Sequence, residues 1–223
     1  MRFGVIRFPG SCDEVDAVLA CERVPGASAQ LLWHGDADLQ GVDAVVVPGG
    51  FSYGDYLRVG AIARFAPVME EVVEFARSGG PVLGICNGFQ VLCEAGLLPG
   101  ALLPNDHLRF RCRQVTVEVL NADTVFTRAC TVGERLSIPC KHMTGRFWAP
   151  DEELDRLQET GQLVLRYAPG ENPNGAARDV AGVCNEAGNV VGLMPHPEHA
   201  VDELCGGSAD GLKLFASAAV AHA

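Results

Sequence analysis

The sequence predicts an α/β fold, in which a mostly parallel, doubly wound sheet carries helices on both faces and gains antiparallel strands in its second half. Three observations lead to this prediction. Short runs rich in Val, Ile and Leu alternate with helical patterns in the first half, and Gly or Pro follows each run. Strand patterns then crowd together in the second half, with fewer helices between them. Strands that alternate with helices, followed by closely spaced strands with few helices between them, are typical of a parallel sheet extended by antiparallel strands.

The first half supplies the parallel part of the sheet. Its strands are predicted over residues 3–8, 30–33, 44–47 and 82–85, and its helices over 13–23, 61–77 and 88–94. These strands are apolar almost throughout, as expected of strands that are covered on both faces.

The second half supplies the antiparallel addition. Strands are predicted over residues 114–120, 135–139, 162–167, 180–185 and 190–194, and a closing helix over 209–220. Because the chain has no internal repeat and no long linker, a single domain over residues 1–223 is expected.

Composition narrows the class of protein. The 223 residues are 48% hydrophobic and 20% charged, with 17 basic against 28 acidic side chains, for a net charge of -11. This excess of acidic side chains argues against non-specific electrostatic binding to nucleic acid or anionic membranes. With no apolar run long enough to span a bilayer and no signal-peptide layout at the start, a cytoplasmic protein is expected. Nine cysteines, without a CxxC or HxxxH pair, predict neither a disulfide framework nor a metal site.

The stretch PVLGICNGFQVL places a cysteine where a predicted strand meets a predicted helix. Gly84, Cys86 and Gly88 have the spacing of a nucleophile elbow, whose small flanking residues allow a sharp turn that exposes the central side chain. The positive end of the following helix is expected to favour the thiolate. The alternative is a tight turn around a buried, inert thiol.

A partner for the sulfur follows the last predicted strand, in the segment MPHPE. Its two prolines are expected to keep this segment extended, so that His196 and Glu198 point to the same side. A cysteine nucleophile uses an imidazole as base and a third group to orient the ring, which predicts a triad of Cys86, His196 and Glu198.

Two backbone N–H groups are predicted to stabilise an oxyanion. Gly50 lies in the segment VPGGF after a buried strand, where glycines allow close approach to a ligand. Asn87 directly follows the nucleophile. The alternative for the glycine pair is a turn that serves only the fold.

These elements, in this order, resemble the class I, triad-type glutamine amidotransferases, which have a flavodoxin-like sheet. The segments PGGFSYGDYLRVGAIA, PVLGICNGFQVLCEAGLLPGALL, RYAPGENPNG and GLMPHPEHAVDE are more specific. They resemble the family of glutaminase subunits of phosphoribosylformylglycinamidine synthase, an enzyme of purine biosynthesis. The resemblance covers essentially the whole chain.

The resemblance implies a glutaminase. Cys86 would attack the side-chain amide of glutamine to release ammonia, and water would hydrolyse the thioester to glutamate. His196 would move the protons, Glu198 would orient it, and Gln90 would help to hold the glutamine. An acid must protonate the leaving nitrogen, because an amide is otherwise a poor substrate.

The resemblance also implies partners. The chain has no GxxxxGK[ST] loop and no paired-glycine nucleotide fingerprint, so no cofactor is expected in this subunit. ATP and Mg are expected on a separate PurL-type synthetase subunit, which would use the ammonia on formylglycinamide ribonucleotide, with a small PurS-type subunit bridging the two. Residues 51–60 are predicted to contact the synthetase, through Tyr53 and Arg58.

The sequence departs from the family pattern at Thr144, where an acidic residue is expected, and at Cys12, where Asn is expected. Alternatives are a glutaminase subunit of another amidotransferase, a related cysteine hydrolase, a regulatory module of the same fold, and a flavodoxin-like binding protein. A panel of amide substrates distinguishes the hydrolases from one another.

Overall fold

The structure is a computed structural model that describes residues 1–220. The strands are β1 (Arg2–Arg7), β2 (Ser28–Trp33), β3 (Ala44–Val47), β4 (Val82–Ile85), β5 (Ala101–Pro104), β6 (Arg111–Val119), β7 (Arg135–His142), β8 (Thr144–Trp148), β9 (Leu163–Tyr167), β10 (Val180–Cys184) and β11 (Val190–Leu193). The α-helices are α1 (Glu14–Glu22), α2 (Pro67–Arg77), α3 (Asn87–Glu94), α4 (Asp151–Glu159), α5 (Glu203–Gly206) and α6 (Leu212–Val220).

Nine strands form one mixed sheet in the order β2-β1-β3-β4-β11-β10-β9-β6-β7. The first five of these are parallel neighbours, and every pairing from β11 to β7 is antiparallel. Strands β5 and β8 form a separate antiparallel pair. The predicted fold class, a parallel sheet with antiparallel additions in the second half, is confirmed.

The parallel strands form the centre of the core. Every residue of β3, β4 and β11 is buried, because helices cover both faces of the sheet. Strand β2 lies beyond β1 on one side and β4 lies beyond β3 on the other, so right-handed crossovers place α1 and α2 on opposite faces. Within residues 1–220, no helix has the length and apolar character needed to cross a membrane. The nine cysteines are free thiols.

One predicted helix, over residues 61–77, is wrong in its first third. Helix α2 begins only at Pro67, after a short 3-10 turn at Ala63–Phe65 and an extended Ala66 (φ -64°, ψ 142°). A proline disfavours helical geometry in the residue before it and fits the first turn of a helix, which explains the break.

Several elements have no clear signal in the sequence. Strands β5 and β8, and helices α4 and α5, were not predicted, while β6 begins about three residues earlier and β7 ends about three residues later than expected. The start of β6 reads RCR and is exposed, so only its pairing with β7 identifies it as a strand. The other predicted elements differ from the structure by at most three residues at an end.

Four loops converge at one edge of the sheet. The winding direction reverses between β1 and β3, the place where doubly wound sheets bind ligands. There the N–H groups of Cys12 and Asp13 donate to the carbonyl of Gly49, which ties the loop after β1 to the loop after β3. The loops after β4 and β11 leave the same edge, because these strands are parallel to β3.

Candidate active site

Cys86 occupies the sharp turn between β4 and α3. Its backbone has φ 51° and ψ -103°, a strained conformation for a residue with a side chain. The flanking glycines are required by packing: a Cβ on Gly88 would lie 1.8 Å from the carbonyl oxygen of Val47, and one on Gly84 would lie 2.6 Å from Leu92 Cδ1. The spacing Gly-x-Cys-x-Gly therefore forms the elbow that the sequence predicted.

The surroundings of the Cys86 side chain favour the thiol over the thiolate. It is 7% exposed, and its Sγ donates to the carbonyl of Lys141 at 3.9 Å. Burial raises the pKa of the thiol well above its usual range, and the negative charges of Asp13 and Glu198 raise it further. The backbone N–H of Asn87, at the start of the helix, lowers the pKa as expected, but burial and the two carboxylates outweigh it. Attack by this sulfur therefore needs a base to remove its proton.

The strand next to β4 brings an imidazole to the same cavity. Strands β4 and β11 are parallel partners, with Ile85 opposite Leu193, so the segments that follow them leave the sheet side by side. His196 is fixed there by its N–H, which donates to the carbonyl of Pro139 at 2.8 Å. Its Nδ1 lies 2.6 Å from Glu198 Oε1, and both side chains are buried.

The route to this contact differs from the prediction. Pro197–His199 is a 3-10 turn and not an extended segment, so alternation along a strand does not bring Glu198 to the ring. The turn does so instead. Because Nδ1 of His196 is bonded to Glu198, Nε2 is the nitrogen left to exchange a proton, and it has no hydrogen-bond partner in residues 1–220.

A second carboxylate, missed by the sequence analysis, lies beside the same imidazole. Oδ2 of Asp13 is 3.6 Å from Nδ1 of His196, and Oδ1 accepts a hydrogen bond from Nε2 of His199 at 3.2 Å. The ammonium of Lys141 also pairs with Oδ1. The loop after β1, strand β7 and the turn after β11 contribute these groups, so no spacing along the chain could indicate them.

This network keeps Asp13 ionised. Burial alone would raise its pKa, but the hydrogen bond from His199, the nearby His196 ring and the Lys141 ammonium together hold the pKa well below its usual range. The ligand atoms of Asp13, His196, Glu198 and His199 lie within 4.8 Å of one another, a set able to hold a cation. In this structure they bond to each other and to Lys141, so the group is a hydrogen-bonded charge network.

The two predicted oxyanion donors lie at the sulfur. Gly50 lines the cavity that also contains Cys86, and Asn87, the first residue of α3, directly follows Cys86, whose thiol pKa its backbone N–H lowers. Gly50 has φ 145°, and a Cβ there would lie 2.6 Å from the carbonyl oxygen of Gly10 and 2.7 Å from the nitrogen of Cys12. Only glycine allows the loops after β1 and β3 to pack this closely.

Gln90 lies in the wall of the same cavity. Its Nε2 donates to the carbonyl of Thr144, and its Oε1 accepts from Asn87 Nδ2 at 3.0 Å. An amide has two donor hydrogens and two acceptor lone pairs, so half of its capacity is left for a ligand. Thr144 serves through its backbone, and the structure gives no account of the acidic residue expected at its position.

Cys12 is a second thiol at this site. It lines the cavity with Cys86, is exposed, and donates weakly to the carbonyl of Gly10 at 3.6 Å. Burial raises its pKa, so it is protonated at neutral pH.

The outer loop, defined as residues 51–58, forms the other wall of the cavity. It exposes Tyr56 and Leu57, at 73% and 92%, and Tyr53, Asp55 and Leu57 have positive φ. Of the two predicted partner contacts, Tyr53 points inward and donates its hydroxyl to His34 Nδ1 at 2.6 Å. Arg58 is exposed and makes two hydrogen bonds of 2.6 Å with Glu94.

Comparison with known proteins agrees with this geometry. The CobB/CobQ-like glutamine amidotransferase domain model matches residues 1–215. A phosphoribosylformylglycinamidine synthase subunit PurQ from Rubrobacter xylanophilus is 61% identical over 97% of both chains. Its counterpart from Mycobacterium tuberculosis H37Rv is 59% identical over 97% of this chain and 96% of the relative. A chain of PurLQS from Thermotoga maritima superposes with a TM-score of 0.90 at 42% identity, covering 100% of this chain and 99% of that one.

Proposed function

Because the chain belongs to the glutamine amidotransferase family, as a PurQ-type subunit of phosphoribosylformylglycinamidine synthase, we propose that Cys86, His196 and Glu198 perform its glutaminase step. One observation supports this assignment above all. A buried imidazole, bonded to a buried carboxylate at 2.6 Å, follows the strand adjacent to the one that presents Cys86.

The first half-reaction forms a thioester. Nε2 of His196 takes the thiol proton as Sγ of Cys86 attacks the side-chain carbonyl carbon of glutamine. The oxygen that becomes negative is stabilised by the N–H groups of Gly50 and Asn87. The tetrahedral intermediate then collapses, as His196 returns the proton to the nitrogen and ammonia leaves.

The second half-reaction regenerates the enzyme. His196 takes a proton from water, the hydroxide formed attacks the glutamyl thioester, and the C–S bond breaks to give glutamate. The proton returns to the sulfur, so nothing is consumed except glutamine and water. In both halves the imidazolium is transient, and the carboxylates of Glu198 and Asp13 stabilise it.

The ammonia would be used by a partner. ATP, Mg and formylglycinamide ribonucleotide would bind to a PurL-type synthetase, and a PurS-type subunit would bridge the complex. The product would be formylglycinamidine ribonucleotide, formed in the cytoplasm. The solved relative from Thermotoga maritima is titled PurLQS, which supports such an assembly. Two exposed apolar side chains, Tyr56 and Leu57, make the outer loop the surface that the synthetase would cover.

The test is glutamate release from glutamine by the chain mixed with the synthetase components, ATP and formylglycinamide ribonucleotide. Cys86→Ala is expected to reduce release at least about a thousandfold, since the nucleophile has no substitute. Cys12→Ala is the matched control, because it removes a thiol from the same cavity that has no part in the mechanism.

Both variants should still support synthesis when ammonium replaces glutamine, which verifies that the complex assembles. Equal glutamate release by the Cys86→Ala variant and the unmodified chain would exclude this sulfur as the nucleophile. No release from an assembled complex of the unmodified chain would exclude the glutaminase function itself.

A further inference from the structure

The cavity holds one carboxylate that the mechanism does not use, that of Asp55. It lines the cavity together with Cys86, Gln90 and His196. It is half-buried on the outer loop and accepts one hydrogen bond, from Asn87 Nδ2 at 3.3 Å. Because Asn87 directly follows the nucleophile, this bond ties Asp55 to the elbow.

The charge of Asp55 is not balanced within the chain. No lysine, arginine or histidine of residues 1–220 pairs with it: Arg58, three residues on, bonds Glu94 instead. Burial raises the pKa of Asp55 to about 6, opposed only by the hydrogen bond from Asn87. A half-buried carboxylate of this kind is stabilised by a ligand that brings a positive charge.

The other carboxylate in the cavity wall does not have this property. Asp13 already has the Lys141 ammonium and Nε2 of His199 as partners, so it has little to gain from a further cation. Of the two carboxylates among residues 1–220 that line the cavity, only Asp55 has no positively charged partner.

Glutamine carries one positive charge, its α-ammonium group. Resting on the proposed glutaminase function, we propose that Asp55 binds the α-ammonium of glutamine and thereby selects an α-amino acid amide over simple amides. The reacting amide lies at Cys86, the methylene groups lie against the apolar side chains of Val59 and Phe110, and the ammonium lies at the outer loop.

The substitution Asp55→Asn separates charge from shape. The amide oxygen of asparagine still accepts the hydrogen bond of Asn87, so the elbow keeps its contact while the negative charge is lost. The kcat/KM for glutamine is expected to fall about ten- to hundredfold, as for the loss of a hydrogen bond between charged groups. The loss should appear mainly in KM, because the ammonium takes no part in bond making.

Glutaramate, which is glutamine without its α-amino group, is the decisive substrate. Measured in the complex with the synthetase components, its kcat/KM should be low for the unmodified chain and nearly unchanged in Asp55→Asn. If its turnover is too slow, inhibition constants replace it: Asp55→Asn should weaken inhibition by glutamate, which has the ammonium, and not that by glutarate, which lacks it. Glu152→Gln, an exposed carboxylate in the first turn of α4, controls for the change in net charge.

The outcomes distinguish failure of the Asp55 assignment from failure of the glutaminase function. An equal loss for glutamine and glutaramate would mean that Asp55 acts only through Asn87, and would overturn the assignment. So would an unchanged KM for glutamine. Asp55→Ala, which also removes the hydrogen bond, should lose activity toward both substrates. Failure of the glutaminase function itself would appear separately, as no Cys86-dependent glutamate release by the unmodified chain.

Discussion

The two walls of the cavity differ in how many of their charged and polar groups have partners within the chain. On the inner wall, His196, Glu198 and Asp13 are buried and bonded to one another and to Lys141 and His199. The outer loop instead exposes large apolar side chains, contains several residues with positive φ, and holds an unbalanced carboxylate.

The difference indicates which parts of the site need other molecules. On the inner wall, Nε2 of His196 and Oε2 of Glu198 are the buried polar atoms left without a hydrogen-bond partner among residues 1–220, and the other charged groups are paired within the chain. The outer loop has backbone strain and exposed apolar area, features that persist where binding compensates for them. The inner wall is therefore held mainly by contacts within the chain, whereas the outer loop has exposed and unbalanced groups that a ligand or partner would cover.

The largest effect should come from the inner wall, through Glu198→Gln. The amide keeps the size of the side chain but cannot stabilise an imidazolium, so kcat should fall about a hundred- to ten-thousandfold. Glutamate release in the assembled complex measures this effect, with Glu203→Gln on the exposed helix α5 as control. A change smaller than threefold would mean that Asp13 alone stabilises the ring.

The next effect is on folding, through Gly88→Ala. A methyl group there would lie 1.8 Å from the carbonyl oxygen of Val47, so β3 and α3 must move apart. The free energy of unfolding should fall by about 3 kcal/mol or more. Gly79→Ala, in open space at φ 94°, meets only backbone strain and should lose about 1 kcal/mol. Urea denaturation compares the two, and equal losses would contradict the steric explanation.

A smaller effect should follow from Asp13→Asn, with a defined dependence on pH. The pKa of Asp13 is lowered in the folded state, so its stabilising contribution is fully present above its ordinary pKa of 3.8 and is lost as the pH falls below it. The variant should be about 2 kcal/mol less stable at pH 7, and the difference should shrink toward pH 3. Urea denaturation at several pH values measures it, and a constant difference would contradict ionisation as the cause.

The smallest effect on stability should come from the outer loop. Leu57→Ser and Arg58→Ala should each change the free energy of unfolding by less than about 0.5 kcal/mol, because both side chains are exposed. Both should nevertheless lower the fraction of hydrolysed glutamine that ends in product, measured as the ratio of formylglycinamidine ribonucleotide to glutamate.

Tyr53→Ala should have the same effect on coupling but a larger one on stability, because its hydroxyl bonds His34. Val132→Ser, at an exposed apolar side chain outside the cavity, is the control and should leave coupling unchanged. Coupling that stays normal in all three loop variants would remove the outer loop as the synthetase contact.

The sequence predicted the inner wall better than the outer loop. The elbow at Cys86 could be predicted from its flanking glycines, because a sharp turn between a strand and a helix restricts the residue types on either side of the central residue. His196 and Glu198 were readable as a pair two residues apart, although a 3-10 turn and not an extended segment joins them. Asp13, Lys141 and His199 could not be predicted, because the loop, strand and turn that carry them meet only in the folded chain.

What the sequence determined by itself is local: strands that are apolar throughout, glycines where no side chain fits, and a cysteine between a strand and a helix. The tertiary structure decided which of these lie together. Strand β11 comes last along the chain but pairs with β4, and only that pairing brings His196 to Cys86. The tertiary structure also determined ionisation, raising the pKa of Cys86 and lowering that of Asp13. Burial and charge at a site depend on groups distant in sequence, and these become neighbours only when the chain folds.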